Sequence, residues 1–328
     1  MKRIDMSSLV GLGLLGFLAT GAYSQDKKDD NYPSKPIRFI VPFAPGGGTD
    51  IIARALAQKL SSTFGQSVVV DNRGGAGCAI GAELGAKATP DGYTLTMVAA
   101  SYATNAALLK LAYDPVRDIT GVSLIGYGPF VVIVNPKLPA SNIKELIGLA
   151  KAKPNSLNYA STGTGAITHL GMELFNMMTG TRMVQIPYKG TGPALSDIVG
   201  GQIQLMLASA PSAIPMLRSK RLRGLAVTSL KRSPALPEIP TVAESGVPGY
   251  ETIVWYAVMG PKGLPKAIVR LWNDVITKAI EAPDMKQRLA AEAMDIVGGP
   301  PARFGDLLKR DIAKWKKVVK QVNVKSTQ

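Results

Sequence analysis

Short runs of aliphatic and β-branched residues alternate along the chain with segments whose apolar positions recur every three to four residues. IRFIV at 37–41 is followed by IIARALAQKL, SVVVDN, a glycine-rich turn and TLTMVAA, an order of strands and helices that predicts parallel βαβ units. A second series of similar build runs through FVVIVNP at 130–136, NIKELIGLAKAK, LNYAS, ITHLGMELFNMM, RMVQIPY, ALSDIVGG, QIQLMLAS and RGLAVTS. From IVWYAVMGP onward one strand is followed mostly by helices, including LPKAIVRLWNDVITKAI and FGDLLKRDIAKWKKVVKQV, whose apolar stripes need a sheet to cover. This last third packs most economically on the first unit. The expectation is an α/β protein of two lobes, 34–128 plus 251–328 and 129–250. The chain would cross between them near Gly128 and Pro129 and again near Pro248 to Glu251, making a hinge.

The amino terminus places Lys2 and Arg3 before SSLVGLGLLGFLATG and then Ala22-Tyr23-Ser24, the pattern of a cleaved signal peptide over residues 1–24. As a membrane anchor the apolar stretch is short beside the roughly 20 residues that span a bilayer. A soluble product outside the inner membrane, in the periplasm, is expected. The 328 residues suit two domains, and 46% hydrophobic content is far from that of a disordered chain. Lys and Arg number 38 against 23 Asp and Glu, a formal charge of +15 that makes anionic partners plausible. With 6% aromatics and no basic run interleaved with them, nucleic acid is not among those expected. One cysteine, Cys78, and one histidine, His169, leave no disulfide, no Cys-rich zinc site and no His-pair metal motif. No metal and no cofactor is expected.

Candidate chemistry gathers at strand-to-helix loops. IRFIV runs into VPFAPGGGTD, where Gly46, Gly47 and Gly48 let a ligand approach backbone N–H groups at the positive end of a helix. The loop matches neither the dinucleotide nor the P-loop pattern and has no lysine for a terminal phosphate. Thr49 or Asp50 caps the helix in the plainer reading. A second junction, NYASTGTGAITHLGMELF, offers Ser161, Thr162, Gly163, Thr164, Gly165 and Thr168 in the other lobe. By open α/β logic both loops occupy the carboxyl edge of the strands, where ligands sit. Two nests of amides and hydroxyls there would close on one carboxylate. His169 either donates to this site or packs locally, and RGGAGCAIGAE lines the cleft or only permits close packing. Cys78 reads as a small buried filler. In AASYATN, Ser101, Tyr102, Thr104 and Asn105 follow a strand. In IPYKGTGPAL, Tyr188 would stack and Lys189 attract charge, or the first is core and the second solvated. A hydrolytic set of Asp50, His169 and Ser161 has no nucleophile-elbow sequence behind it.

Taken together, YPSKPIRFIVPFAPGGGTD, VVVDNRGGAG, ATPDGYTL, YDPVRD, LNYASTGTG, HLGMELF, IPYKGTGPAL, GGQIQLM and LRGLAVTSLKRSPALPEIPTVAESGVPGYE resemble the Bug/TctC family, extracytoplasmic solute receptors of tripartite tricarboxylate transporters. The resemblance covers essentially the whole mature chain. It implies a two-lobed periplasmic-binding-protein (Venus flytrap) fold with a central cleft, no enzymatic turnover, and a carboxylate held by loops of both lobes and by ordered water. By position it maps ligand binding onto Pro45, Gly46, Gly47, Gly48 and Thr49 and onto Ser161, Thr162, Gly163, Thr164, Gly165 and Thr168, with Ser101, Thr104, Asn105 and Tyr188 lining the cleft. The implied partners are a small carboxylate and the membrane subunits of a transporter, with a sensor kinase as the alternative, and the receptor is expected to be monomeric. In LMLASAPSA, Ala208, Ser209 and Ala210 stand where relatives often carry an acidic or amide residue, and Tyr102 adds an aromatic face. These departures point to a dicarboxylate or aromatic carboxylate without an essential ammonium group.

Overall fold

A computed structural model describes residues 32–324; the signal peptide expected at 1–24 lies outside the described residues. The chain opens with β1 (Ile37–Val41), crosses through α1 (Gly48–Phe64) to β2 (Val68–Asn72), and passes a 3₁₀ turn at Ala76–Cys78 into α2 (Ala79–Ala86). β3 (Thr94–Ala99) and α3 (Ser101–Leu108) follow, then the long β4 (Ile119–Val134). The next series is α4 (Ile143–Ala152), β5 (Asn158–Ser161), α5 (Ile167–Thr179), β6 (Val184–Pro187), α6 (Thr191–Gly200), β7 (Leu205–Ser209), α7 (Ala210–Arg218) and β8 (Arg223–Val227). The chain returns through β9 (Ile253–Pro261), α8 (Lys266–Glu281), α9 (Pro283–Ala291), β10 (Asp295–Ile296) and α10 (Ala302–Val322).

The strands form a ten-stranded sheet in the order β2-β1-β3-β9-β4-β7-β5-β6, with β8 and β10 also on β4. At one end β1, β2 and β3 are parallel, and at the other β5 is parallel to β6 and β7. β9 and β4 are antiparallel members between them. β4 is where the two ends join. Its first part pairs with β9 as far as Pro129, and from Phe130 onward it pairs with β7 on one flank and with β8 on the other from Val131.

The sequence reading began this strand only at 130. Gly121, Gly126, Gly128 and Pro129 hide its first part, because small residues and proline interrupt a β pattern. The structure shows register shifts against β9 between Gly121 and Ser123 and between Leu124 and Gly126, as expected of bulged strands. APSAIPMLR, which carries no helix expectation from its pattern, forms α7 despite Pro211 and Pro215. Pro211 falls in the first turn, where a missing N–H costs nothing.

At the crossing of the two central strands, Thr228 ties the segments together. Its buried hydroxyl donates to the Thr252 carbonyl at 2.5 Å and accepts from the Phe130 N–H at 2.9 Å. Its own N–H donates to the Phe130 carbonyl at 2.9 Å. Large side chains fix the helices on the sheet. Trp272 of α8 stacks on Phe64 with ring centroids 4.9 Å apart. Trp255 of β9 packs against Phe304 at 5.7 Å and donates its indole N–H to Asp311 at 2.8 Å, so it is a core residue. Among the described residues no helix is long and apolar enough to cross a membrane. Trp272 is fully buried, so Trp272→Ala is expected to cost about 3–5 kcal/mol of folding stability, read as a lowered urea midpoint; a midpoint within error of wild type would contradict this packing account.

Candidate functional site

Five strand-to-helix junctions converge on one small cavity. α1, α3, α5, α6 and α7 all begin at its wall, contributing Gly47, Gly48 and Thr49; Ser101; Ile167 and Thr168; Thr191; and Ser209, respectively. The remaining wall is Phe43, Ala99, Phe130, Thr162, Val254 and Tyr256. The cavity measures 30 Å³, room for about one or two waters or the head of a carboxylate. No side chain lining it carries a formal charge. Its polarity comes from hydroxyls and from helix N-termini, where the first N–H groups have no intrahelical acceptor and the summed peptide dipoles are positive. In none of the five does the N-cap residue's own side chain cap the helix. Such a wall suits an anion and offers an ammonium group only hydroxyl oxygens, with no carboxylate to balance its charge.

The charges nearest this wall are turned away from it. Asp50, in the first turn of α1, is buried and accepts from the Gly46 N–H at 3.0 Å, from Asn72 Nδ2 at 2.9 Å and from Arg54 Nε at 3.1 Å. Burial pushes its pKa up, but the bonds from Arg54, Gly46 and Asn72 outweigh it and hold the carboxyl below its ordinary range. Asp50 therefore pins the glycine loop from within the first turn of α1 rather than capping the helix as expected: the N-cap is Gly47, and neither Thr49 nor Asp50 caps it. His169 accepts the Gly165 N–H on Nδ1 at 3.2 Å, and its own burial pushes its pKa down to about 4. It is a neutral brace inside the second loop.

The expected site residues divide by position. Gly47, Gly48, Thr49, Ser101, Thr162 and Thr168 line the cavity. Thr168 Oγ1 accepts the Thr162 N–H at 2.9 Å and lies 3.0 Å from Thr162 Oγ1. Ser101 Oγ accepts the Ile167 N–H at 3.2 Å, joining the start of α3 to that of α5. Pro45 and Gly46 lie just outside, against Gly192. Thr104 Oγ1 donates to the Ser101 carbonyl at 3.1 Å. Ser161 Oγ is taken by Gln185 Nε2 at 2.7 Å. Asn105 Nδ2 donates to the carbonyl of Gly77 at 3.0 Å and contacts Cys78 Sγ at 3.3 Å; Gly165 packs on the same amide. Cys78 is buried, and burial raises its thiol pKa, as suits the filler role. Gly163, Thr164 and Tyr188 line a separate groove of 760 Å³ together with Ile80, Lys110 and Lys189. There the Tyr188 hydroxyl donates to Asp197 at 2.6 Å. Tyr102 offers no aromatic face to the cavity: it is buried, and its hydroxyl donates to the Pro115 carbonyl at 2.9 Å.

Thr191, Ser209 and Tyr256 line the cavity without having been singled out as binding residues. Ser209 follows the strand LMLA as Gly48 follows its own loop, a signal the two prolines after it obscured. Tyr256 lies in the uninterrupted apolar run IVWYAVMGP, where no polar period marks an inward face.

Loops from the two ends of the sheet meet over the cavity. The Ala44 N–H donates to the Lys189 carbonyl at 3.0 Å. A Cβ on Gly192 would lie 2.1 Å from the Pro45 carbonyl oxygen, and one on Gly163 2.5 Å from the Gly77 nitrogen, so glycine is required for this approach.

Two α/β ends sharing central strands, with a cavity walled by helix N-termini where their loops face each other, define a two-lobed solute-binding protein of the periplasmic type. The model of the tripartite tricarboxylate transporter family receptor, TctC, matches residues 52–324, and the chain belongs to that family. It is 38% identical over 328 residues to the protein BugT of Bordetella pertussis, covering 99% of each chain. Among solved structures, R. palustris Rpa4515 with adipate is 36% identical with a TM-score of 0.87, over 90% of this chain and 99% of that one. MatC from Rhodopseudomonas palustris with bound malate is 30% identical with a TM-score of 0.84, over 88% and 100%. The family is a class of solute-binding receptors, not of enzymes.

His169 yields a pH prediction. Its folded pKa of about 4 lies below the ordinary 6.5, so the unfolded chain binds a proton first. Stability is then full above pH 6.5 and falls by up to about 3 kcal/mol as pH drops toward 4. His169→Gln, which keeps an acceptor for the Gly165 N–H, is expected to flatten that slope in urea unfolding between pH 6.5 and 4.5; an unchanged slope would sink the assignment.

Proposed function

We propose that this protein captures a small organic carboxylate, a dicarboxylate or aromatic carboxylate without an essential ammonium group, between two lobes in the periplasm. It would deliver the acid unaltered to the membrane subunits of a tripartite tricarboxylate transporter. The lobes are taken as 34–128 plus 251–328 and 129–250, with the Thr228 clasp at the hinge, and the receptor as a monomer. The observation that carries this reading is the cavity ringed by five helix N-termini and lined by no charged side chain. Neutral donors fixed in advance hold a carboxylate without the cost of burying a lysine or arginine. The absence of an acidic side chain from the wall disfavours amino acids, because a desolvated ammonium would have no counter-charge there. Adipate and malate on the two R. palustris relatives are acids of the proposed class.

Closure follows from the loop contact: loops from the two ends of the sheet meet at Ala44 and Lys189 beside the cavity, and they would part for entry and rejoin behind the ligand. The ligand drives that shift by its greater affinity for the closed form. Hydrolysis is disfavoured by the same bonding pattern. Asp50 is held by Arg54 and Asn72, His169 Nδ1 by the Gly165 N–H, and Ser161 by Gln185, so the three form no relay.

Titration calorimetry with adipate, succinate, malate, phthalate, terephthalate, aspartate and glutamate is expected to show stoichiometric binding of one or more of the amine-free acids; binding of the amino acids alone would refute the proposal. Ligand at a hundred times its Kd should stabilise the fold by about 2.7 kcal/mol. Gly192→Ala, placed where the lobes meet and off the cavity wall, is expected to weaken that binding at least about tenfold and to prevent the drop in scattering radius that ligand causes in wild type. Wild-type affinity and closure in this variant would show that the loop contact is not part of the bound state.

A further inference from the structure

We infer that Tyr256 is a ligand-binding residue, its hydroxyl held ready to donate to an oxygen of the bound acid. Tyr256 lies on β9 between β3 and β4, opposite Ala99 on one side and Gly126 on the other. The side chain is 1% exposed, yet it reaches the cavity wall. Its hydroxyl has no hydrogen-bond partner in the structure. The neighbouring hydroxyl, Ser209 Oγ, is close enough to influence it without hydrogen-bonding geometry between them, and lies 3.1 Å from Ser212 Oγ, which donates to the Ser209 carbonyl at 2.8 Å. A buried donor left unpaired costs folding free energy, and native interiors rarely leave one without a use.

The place of the hydroxyl says what the use is. A Cβ on Gly48 would lie 2.5 Å from Tyr256 Oη and 2.4 Å from Ser209 Oγ, so both hydroxyls stand directly over the first residue of α1. An acid seated on the amides at that helix end therefore comes within reach of the tyrosine. Burial raises the phenol's pKa, so it stays protonated and a donor at any pH the periplasm reaches. The helix ends supply attraction for negative charge in general. Tyr256 adds a single directed bond, of the charge-assisted kind that is short and strong when its acceptor is a carboxylate. This role rests on the carboxylate reading above.

The test is Tyr256→Phe, which keeps the ring and removes only the oxygen. Calorimetry of the purified protein with adipate, and with whichever other carboxylate wild type binds best, is expected to show affinity lowered about 10- to 100-fold. The unliganded variant should unfold at the same temperature as wild type or higher, because the unpaired hydroxyl is gone; a residue with a merely structural role would lower it. Gly48→Ala, which intrudes on the same point from the opposite wall, should lose binding too, whereas Gly200→Ala, with nothing within 4 Å, should not. Wild-type affinity in Tyr256→Phe or in Gly48→Ala overturns the role of Tyr256 and leaves the carboxylate reading standing. No heat from wild type with any of the acids overturns both.

Discussion

The proposed function rests on one electrostatic constraint: an anion would have to be held in a small cavity whose wall carries no formal charge. Each helix end supplies about half an elementary charge and is worth roughly 0.3–2 kcal/mol toward a nearby anion, depending on burial. Five such ends around 30 Å³ together rival a single ion pair. They do so without the desolvation cost of burying an arginine or lysine, which often cancels the Coulombic gain. A neutral wall also suits release, because an empty site made of dipoles leaves no unpaired charge behind. The basic surplus of the chain, +15 overall, contributes no side chain to the cavity wall; on the proposed reading it would act as a field that draws organic acids toward the surface.

That constraint explains the architecture. Helix ends can converge only if the strands feeding them point their carboxyl ends at one place from two directions, which the antiparallel β4 and β9 achieve by joining two parallel sets. Loops from both directions must then approach to backbone distance. Glycines at 163 and 192 allow this, and Asp50 and His169 keep the two principal loops in shape from behind. The Thr228 clasp holds the crossing strands where the two ends join.

The parts legible in the sequence are those where a local rule and the tertiary role agree. Gly46 to Gly48 after IRFIV, and Thr162 to Thr168 after LNYAS, announce strand-to-helix turns with exposed amides, and each turn puts part of its length on the cavity wall, Gly47 and Gly48 from the first and Thr162 and Thr168 from the second. Asp50 reads as local structure because a carboxylate repels the same charge the loop attracts, although it braces the loop and does not cap the helix. Other features are set by contacts that sequence does not display. Ser209 is hidden by the prolines of α7, and Tyr256 by a central strand buried on both faces, where polar and apolar positions do not alternate. Tyr102, beside the cavity in sequence, turns into the core because Pro115 offers its hydroxyl a carbonyl. Ser161 is claimed by Gln185, a pairing between neighbouring strands that no spacing within either one reveals.

A crystal structure of the protein with its bound acid tests the central claim most directly. The account predicts intact ligand with one carboxylate on the N-terminal amides of α1 and α5, within hydrogen-bond distance of Tyr256 Oη, and no lysine or arginine touching that carboxylate. A ligand held there by a basic side chain, or seated away from these helix ends, would contradict it.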